Sequence, residues 1–184
     1  MATLSTTAWV LHDLGLAAGF GGNLFGQLAL NPAVKAVGSK RDRGKVTHVA
    51  WDRYKAVNGI SLAAIAGTWL AGRTILSGRE VSRASRGLTL AKDMLVAGTF
   101  VSGVGALVTG TLLDRAMRES DYAIESGREP AAETPPRVRR LQRTVNTLGI
   151  LNIGLYAAVM ATTTILAMKA GKSSKWSLVT RLLP

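Results

Sequence analysis

The residues best placed for chemistry in this chain are His12, Asp13 and Arg73. His12 and Asp13 lie about one helical turn inside the start of the first long apolar stretch. Arg73 lies about one turn inside the end of the second. If the two stretches are antiparallel helices, these ends share a depth. An isolated charge among apolar neighbours is costly, so such groups are usually paired or face water. An Asp13–Arg73 ion pair is the simplest reading. Snorkelling without pairing is an alternative, and so is a polar site for a proton, an ion or a quinone that includes His12.

A second set is made of amides near the opposite ends of the same stretches: Asn23 and Gln27 at i, i+4, then Asn58, Asn146 and Asn152. Amides in apolar helices commonly bond across to a neighbour. The alternative is a pocket for a small ligand or a lipid headgroup. His12 has the chemistry of a haem ligand, but a bis-His site needs a second buried histidine, and His48 falls in a polar stretch. No cofactor is therefore expected, with haem or quinone only if shared with a partner chain. The sequence carries no GxSxG, HExxH, CxxC or Walker-type loop, and it has no cysteine. That excludes disulfides, thiolate metal sites and thiol catalysis, and two histidines make a dedicated metal site a poor fit. Glu119, Asp121 and Glu125 resemble paired carboxylates, yet Arg115, Arg118 and Arg128 interleave them, so they read as a solvated helical extension laced with ion pairs.

The elements that must position these residues are four apolar segments, at about 9–30, 57–76, 94–113 and 145–168. Each is long enough to cross roughly 30 Å of hydrocarbon at about 1.5 Å per residue. The expected fold is all-α: one domain over residues 1–184, an integral membrane four-helix transmembrane bundle with helical extensions outside the lipid and a tail from 169. The N-terminal stretch lacks the basic flank of a signal peptide, so the first segment reads as retained. Asn31-Pro32 is expected to stop the first helix, because the residue before proline avoids the α region. Helical spacing of Val46, Val49, Ala50, Tyr54 and Val57 starts the second helix near Gly44, with Trp51 and Tyr54 at headgroup depth. The stretch 127–136, with three prolines, reads as a flexible turn.

Small residues mark helix faces. Gly15, Gly19, Gly22 and Gly26 recur at spacings of four, three and four, which keeps them on one side of the first helix. Gly59, Ala63, Gly67 and Ala71 do the same on the second. Such stripes let backbones approach closely. The expectation is packing inside one bundle, with self-association or a partner subunit as the alternative.

The formal net charge is +12, and the mean hydropathy is still +0.20. Both hold because charge and hydrophobicity are segregated. Lys40, Arg41, Arg43, Arg139, Arg140 and Lys172 flank the apolar segments and are expected to meet anionic lipid headgroups, not nucleic acid. Of the 23 basic residues, 7 + 7 = 14 lie in the first and third connections and 5 + 4 = 9 in the second connection and tail. The positive-inside rule then puts the termini on the non-cytoplasmic side of a cell or inner membrane. The expected function is a small non-catalytic membrane subunit or scaffold that packs against partners or copies of itself. The alternatives are an oligomeric transport or permeation protein and a membrane subunit of a redox complex.

Overall fold

The computed structural model describes residues 2–75, 83–119 and 123–171. It is all-helical, 89% helix with no strands among the described residues. Helix α1 spans Ala2–Phe25, α2 Lys40–Ile75, α3 Arg83–Glu119 and α4 Pro136–Gly171. Two of these, α3 and α4, contain stretches long and apolar enough to cross a membrane (Arg86–Arg118 and Pro136–Lys169). At 36 residues, α2 and α4 are each roughly 54 Å long.

Asn31-Pro32 does not stop the first helix. A π-helical turn, Gly26–Leu30, follows α1, and helical backbone continues through Asn31–Ala33 to a 3-10 turn at Val34–Ala36. Asn31 stays helical at φ −59°, ψ −41°, and its N–H reaches back five residues to Gly26 O. The widened turn relieves the clash that a proline ring makes with the carbonyl four residues earlier. The chain turns at Val37, whose backbone is extended, and α2 starts at Lys40, one turn earlier than the Val/Ala/Tyr spacing implies.

The core is one apolar cluster of Leu16, Leu62, Ile65, Val96, Tyr156 and Val159. Much of the binding between α1 and α2 is polar. Tyr54 Oη donates to the Ala18 and Gly19 carbonyls, both at 3.1 Å, and Ser61 Oγ donates to Gly15 O at 2.6 Å. Glycine makes this possible, since a bare helix surface leaves its carbonyls within reach. A Cβ on Gly22 would land on the Tyr54 ring, one on Gly26 on Trp51, and one on Gly19 on Tyr156. The first stripe is thus filled by this chain's own aromatic side chains, and Trp51 and Tyr54 turn inward.

The stretch 123–135 is a folded cap, not a loose turn. Ile124 pairs with Pro130, and Ile124 N–H and Gly127 N–H donate to Lys40 O and Asn31 O, both at 3.2 Å. Ser126 Oγ accepts the Arg128 and Glu129 amides. Gly127 is required by close approach: a Cβ there would sit 2.8 Å from the Asn31 Cα. The cap's prolines end in Pro136, which opens α4 at the position where a missing N–H costs nothing.

Candidate functional site: a capped polar chamber

Beneath the cap lies a cavity of about 100 Å³. The helix preceding it contributes Asn23, Gln27 and Asn31. Helix α2 contributes Thr47, His48, Trp51, Tyr54, Lys55 and Asn58. Helix α3 gives Leu107, Leu113 and Asp114, α4 gives Gln142 and Asn146, and Ile124 and Gly127 of the cap close the top. The π turn matters here. A plain helix drifts around its axis over successive i, i+4 steps, and the extra residue in the turn rotates Asn31 back onto the face of Asn23 and Gln27.

Asp114 is buried and anchors the charged corner. Lys55 Nζ makes an ion pair with one of its oxygens, and His48 Nδ1 donates to the other at 2.8 Å. Because Lys55 already compensates the carboxylate, the imidazole sits there neutral. Burial lowers the His48 pKa, the Arg118 and Lys55 cations lower it further, and Asp52 alone opposes them. Between the lowered folded value and the ordinary 6.5, the unfolded chain binds the proton and the folded chain does not. Stability therefore falls as pH drops below about 6.5. Thermal unfolding at pH 7.5 and 5.5 should show a smaller loss on acidification for His48→Gln than for the unaltered protein; equal losses would put the sensitivity elsewhere.

Several polar atoms at the chamber have no hydrogen-bond partner among the described residues. Gln27 Oε1, Thr47 Oγ1, Gln142 Oε1 and Asn146 Oδ1 are buried without a hydrogen bond. The orientation of Gln142 is fixed by its own chemistry: Nε2 donates to Ser126 O at 3.1 Å, which leaves Oε1 pointing away from that bond. Each unsatisfied buried polar group costs about 1–3 kcal/mol. Four around one cavity call for something that donates hydrogen bonds to them.

Of the residues singled out by sequence, the structure brings Asn23, Gln27, Asn58 and Asn146 together at this chamber. Asn152 lies deeper and accepts a 2.7 Å bond from Ser102 Oγ. His12 is buried at the far end of the bundle. Its Nδ1 lies 3.0 Å from Thr68 Oγ1, whose own hydrogen goes to Ala64 O at 2.6 Å, so Nδ1 carries the proton. Asp13 is exposed there, with Lys92 over the Trp9 ring at 5.3 Å. The Arg73 side chain lies outside the described residues, as do those of Glu119 and Asp121 and all of Lys172, so the Asp13–Arg73 pair has no structural counterpart to report.

Of the basic residues assigned to headgroups, Lys40 pairs with Glu125 at 2.8 Å. That pairing holds the Glu125 carboxyl below its usual range. Arg43 binds the Val37, Lys35 and Glu125 carbonyls. Arg139 holds the Ala132 and Thr134 carbonyls. These three tie down the cap, while Arg41 and Arg140 are exposed. On α2, Ala63 and Gly67 face outward, and a Cβ at Gly59 or Gly67 would meet nothing within 4 Å.

Sequence reasoning missed Asn31, Thr47, His48, Lys55, Asp114 and Gln142. The signal was present as spacing: Asn31 continues the i, i+4 series of Asn23 and Gln27, Gln142 precedes Asn146 by four, and Lys55 follows His48 by seven. Comparisons with protein-family models, with curated proteins and with solved structures find no match to this chain.

Proposed function

We propose that this chain is a four-span integral membrane protein whose working part is the capped chamber, and that it binds a small polar molecule there without transforming it. The observation that carries the reading is the set of four buried oxygens that have no hydrogen-bond partner among the described residues, around one cavity inside the bundle. The membrane setting is supported by the outer surface. Only 22% of the most apolar window of α3 and of α4 is buried inside the structure, whereas a core helix of a soluble protein would be mostly buried. Leu14, Phe25 and Leu28 on the first helix and Ile60 and Leu70 on the second are exposed as well. Asn23 on the first helix and Asn58 and Ser61 on the second are buried, so part of the polar content of these helices turns inward.

The chamber is a dead end. The apolar cluster of Leu16, Leu62, Ile65, Val96, Tyr156 and Val159 lies further from the cap on every helix, by one turn on α2 (Asn58 to Leu62) and by two turns or more on the others. That favours binding from one side over a continuous conduit through a single chain. A scaffold role through the outward stripe of Gly59, Ala63, Gly67 and Ala71 is the second reading, favoured by the open space at Gly59 and Gly67.

Cysteine labelling tests topology and access together, because the native chain has no cysteine. Single cysteines at Ser39 and Glu133, both exposed, should label from the same membrane face, expected to be the cytoplasmic one. Asn146→Cys should react more slowly, from that face only, with a small thiol reagent. Labelling of Ser39→Cys and Glu133→Cys from opposite faces would end the four-span model. An Asn146→Cys thiol inert from both faces would end the binding reading.

A further inference from the structure

The walls of the chamber differ in kind, and we infer that its ligand is a small neutral polyol of about the size of ethylene glycol. The inference deepens the binding reading above and rests on it.

Charge excludes the simplest alternatives. A cation in the chamber would face Lys55, with Asp114 already bridged to that same lysine and to His48. The Arg128 guanidinium, bonded to the Gln27 carbonyl, adds a second positive charge nearby. An anion would face the amide oxygens of Gln27, Gln142 and Asn146, which repel it. A neutral ligand escapes both penalties. Those oxygens need donors, and hydroxyl groups supply them while still accepting from Lys55 or Thr47.

Size and shape narrow the class further. A cavity of about 150 Å³ holds benzene, with its six heavy atoms. The roughly 100 Å³ here suits a molecule of roughly four heavy atoms by that comparison. Helix α3 offers Ala106, Leu107, Gly110, Leu113 and Met117, apolar apart from Asp114. A polyol has a C–H edge to lay on that wall and hydroxyls for the amides of α1 and α4. Ammonium and phosphate have no such edge.

The test is binding of radiolabelled ethylene glycol to the full-length protein in detergent, read by scintillation proximity. Saturable binding is expected, with no displacement by ammonium chloride or inorganic phosphate. Asn146→Leu and Gln27→Met should each weaken it by roughly tenfold or more. Both variants should unfold at or above the temperature of the unaltered protein, because an orphaned acceptor has been replaced by an apolar group. Displacement by ammonium would overturn the inference in favour of a cation site. Absence of saturable polyol binding, in protein whose Asn146→Cys thiol still reacts, would overturn it while leaving an accessible chamber. An unreactive Asn146→Cys thiol removes the chamber reading itself.

Discussion

Lys55→Met should destabilise the protein by about 3 kcal/mol, toward the low end of what breaking a buried ion pair costs. The lysine leaves behind Asp114, whose side chain is only 10% exposed, with nothing but the neutral His48 imidazole to face it. The reverse change, Asp114→Leu, should cost less. Lys55 is 23% exposed and keeps Asp52 at 3.4 Å, one turn back on the same helix. The double variant should be more stable than Lys55→Met alone, since no charge is then stranded. A double-mutant cycle by chemical denaturation checks this. Additive effects would mean that the two side chains do not share the chamber's charged corner. Lys55→Met should also weaken the acid sensitivity. Burial and Arg118 still lower the His48 pKa, but one of the cations that lowers it is gone, so less stability is lost as pH falls below about 6.5.

Gly22→Leu and Gly19→Leu should be among the most damaging single changes at glycine. Overpacking a tight contact costs about 1–3 kcal/mol and sometimes more, and here the neighbours have little room to yield. The Tyr54 ring that covers Gly22 is tied by its hydroxyl to the Ala18 and Gly19 carbonyls, and Tyr156 over Gly19 is completely buried. Loss of folded protein is expected for both. By contrast, Gly67→Ala meets nothing within 4 Å. It should stabilise by about 0.5–1 kcal/mol, the usual advantage of alanine over glycine inside a helix. Leu14→Ala, at a side chain 61% exposed, should change stability little. If Gly22→Ala and Gly67→Ala move stability in the same direction, the Tyr54–Gly22 contact is not tight. Gly59→Leu and Gly67→Leu leave the fold intact on this view, so a shift in oligomeric state from either would speak for the scaffold reading.

The helices were legible because their causes are local. Apolar runs separated by charged ones, glycine at spacings of three and four, and absence of β-rich patterning all act within a few turns of chain. The π turn was not legible, because the rule that a residue before proline avoids the α region describes a normal helix. A widened turn removes the clash that the rule rests on, and whether one forms depends on what Gly26 packs against. The cap was misread for a similar reason. Three prolines in 127–136 signal a break in helix, and they do mark one, but its order comes from Arg43, Lys40 and Asn31, far away in sequence.

The sequence by itself determined the segregation of charge from apolar surface, the presence of four apolar helical segments, and the faces on which small and amide residues fall, since each follows from the spacing of residues along the chain. Only the tertiary structure decided what those faces meet. The stripe of Gly15, Gly19, Gly22 and Gly26 looks the same on paper as that of Gly59, Ala63, Gly67 and Ala71. One is covered by Tyr54, Trp51 and Tyr156 of the same chain, and the other lies open. The amides of Asn23, Gln27 and Asn146 likewise gained their meaning from what joined them. Asp114, Lys55 and His48 come from segments that read as solvated, and meet as a partly buried cluster around Asp114 where the cap closes over the end of the bundle.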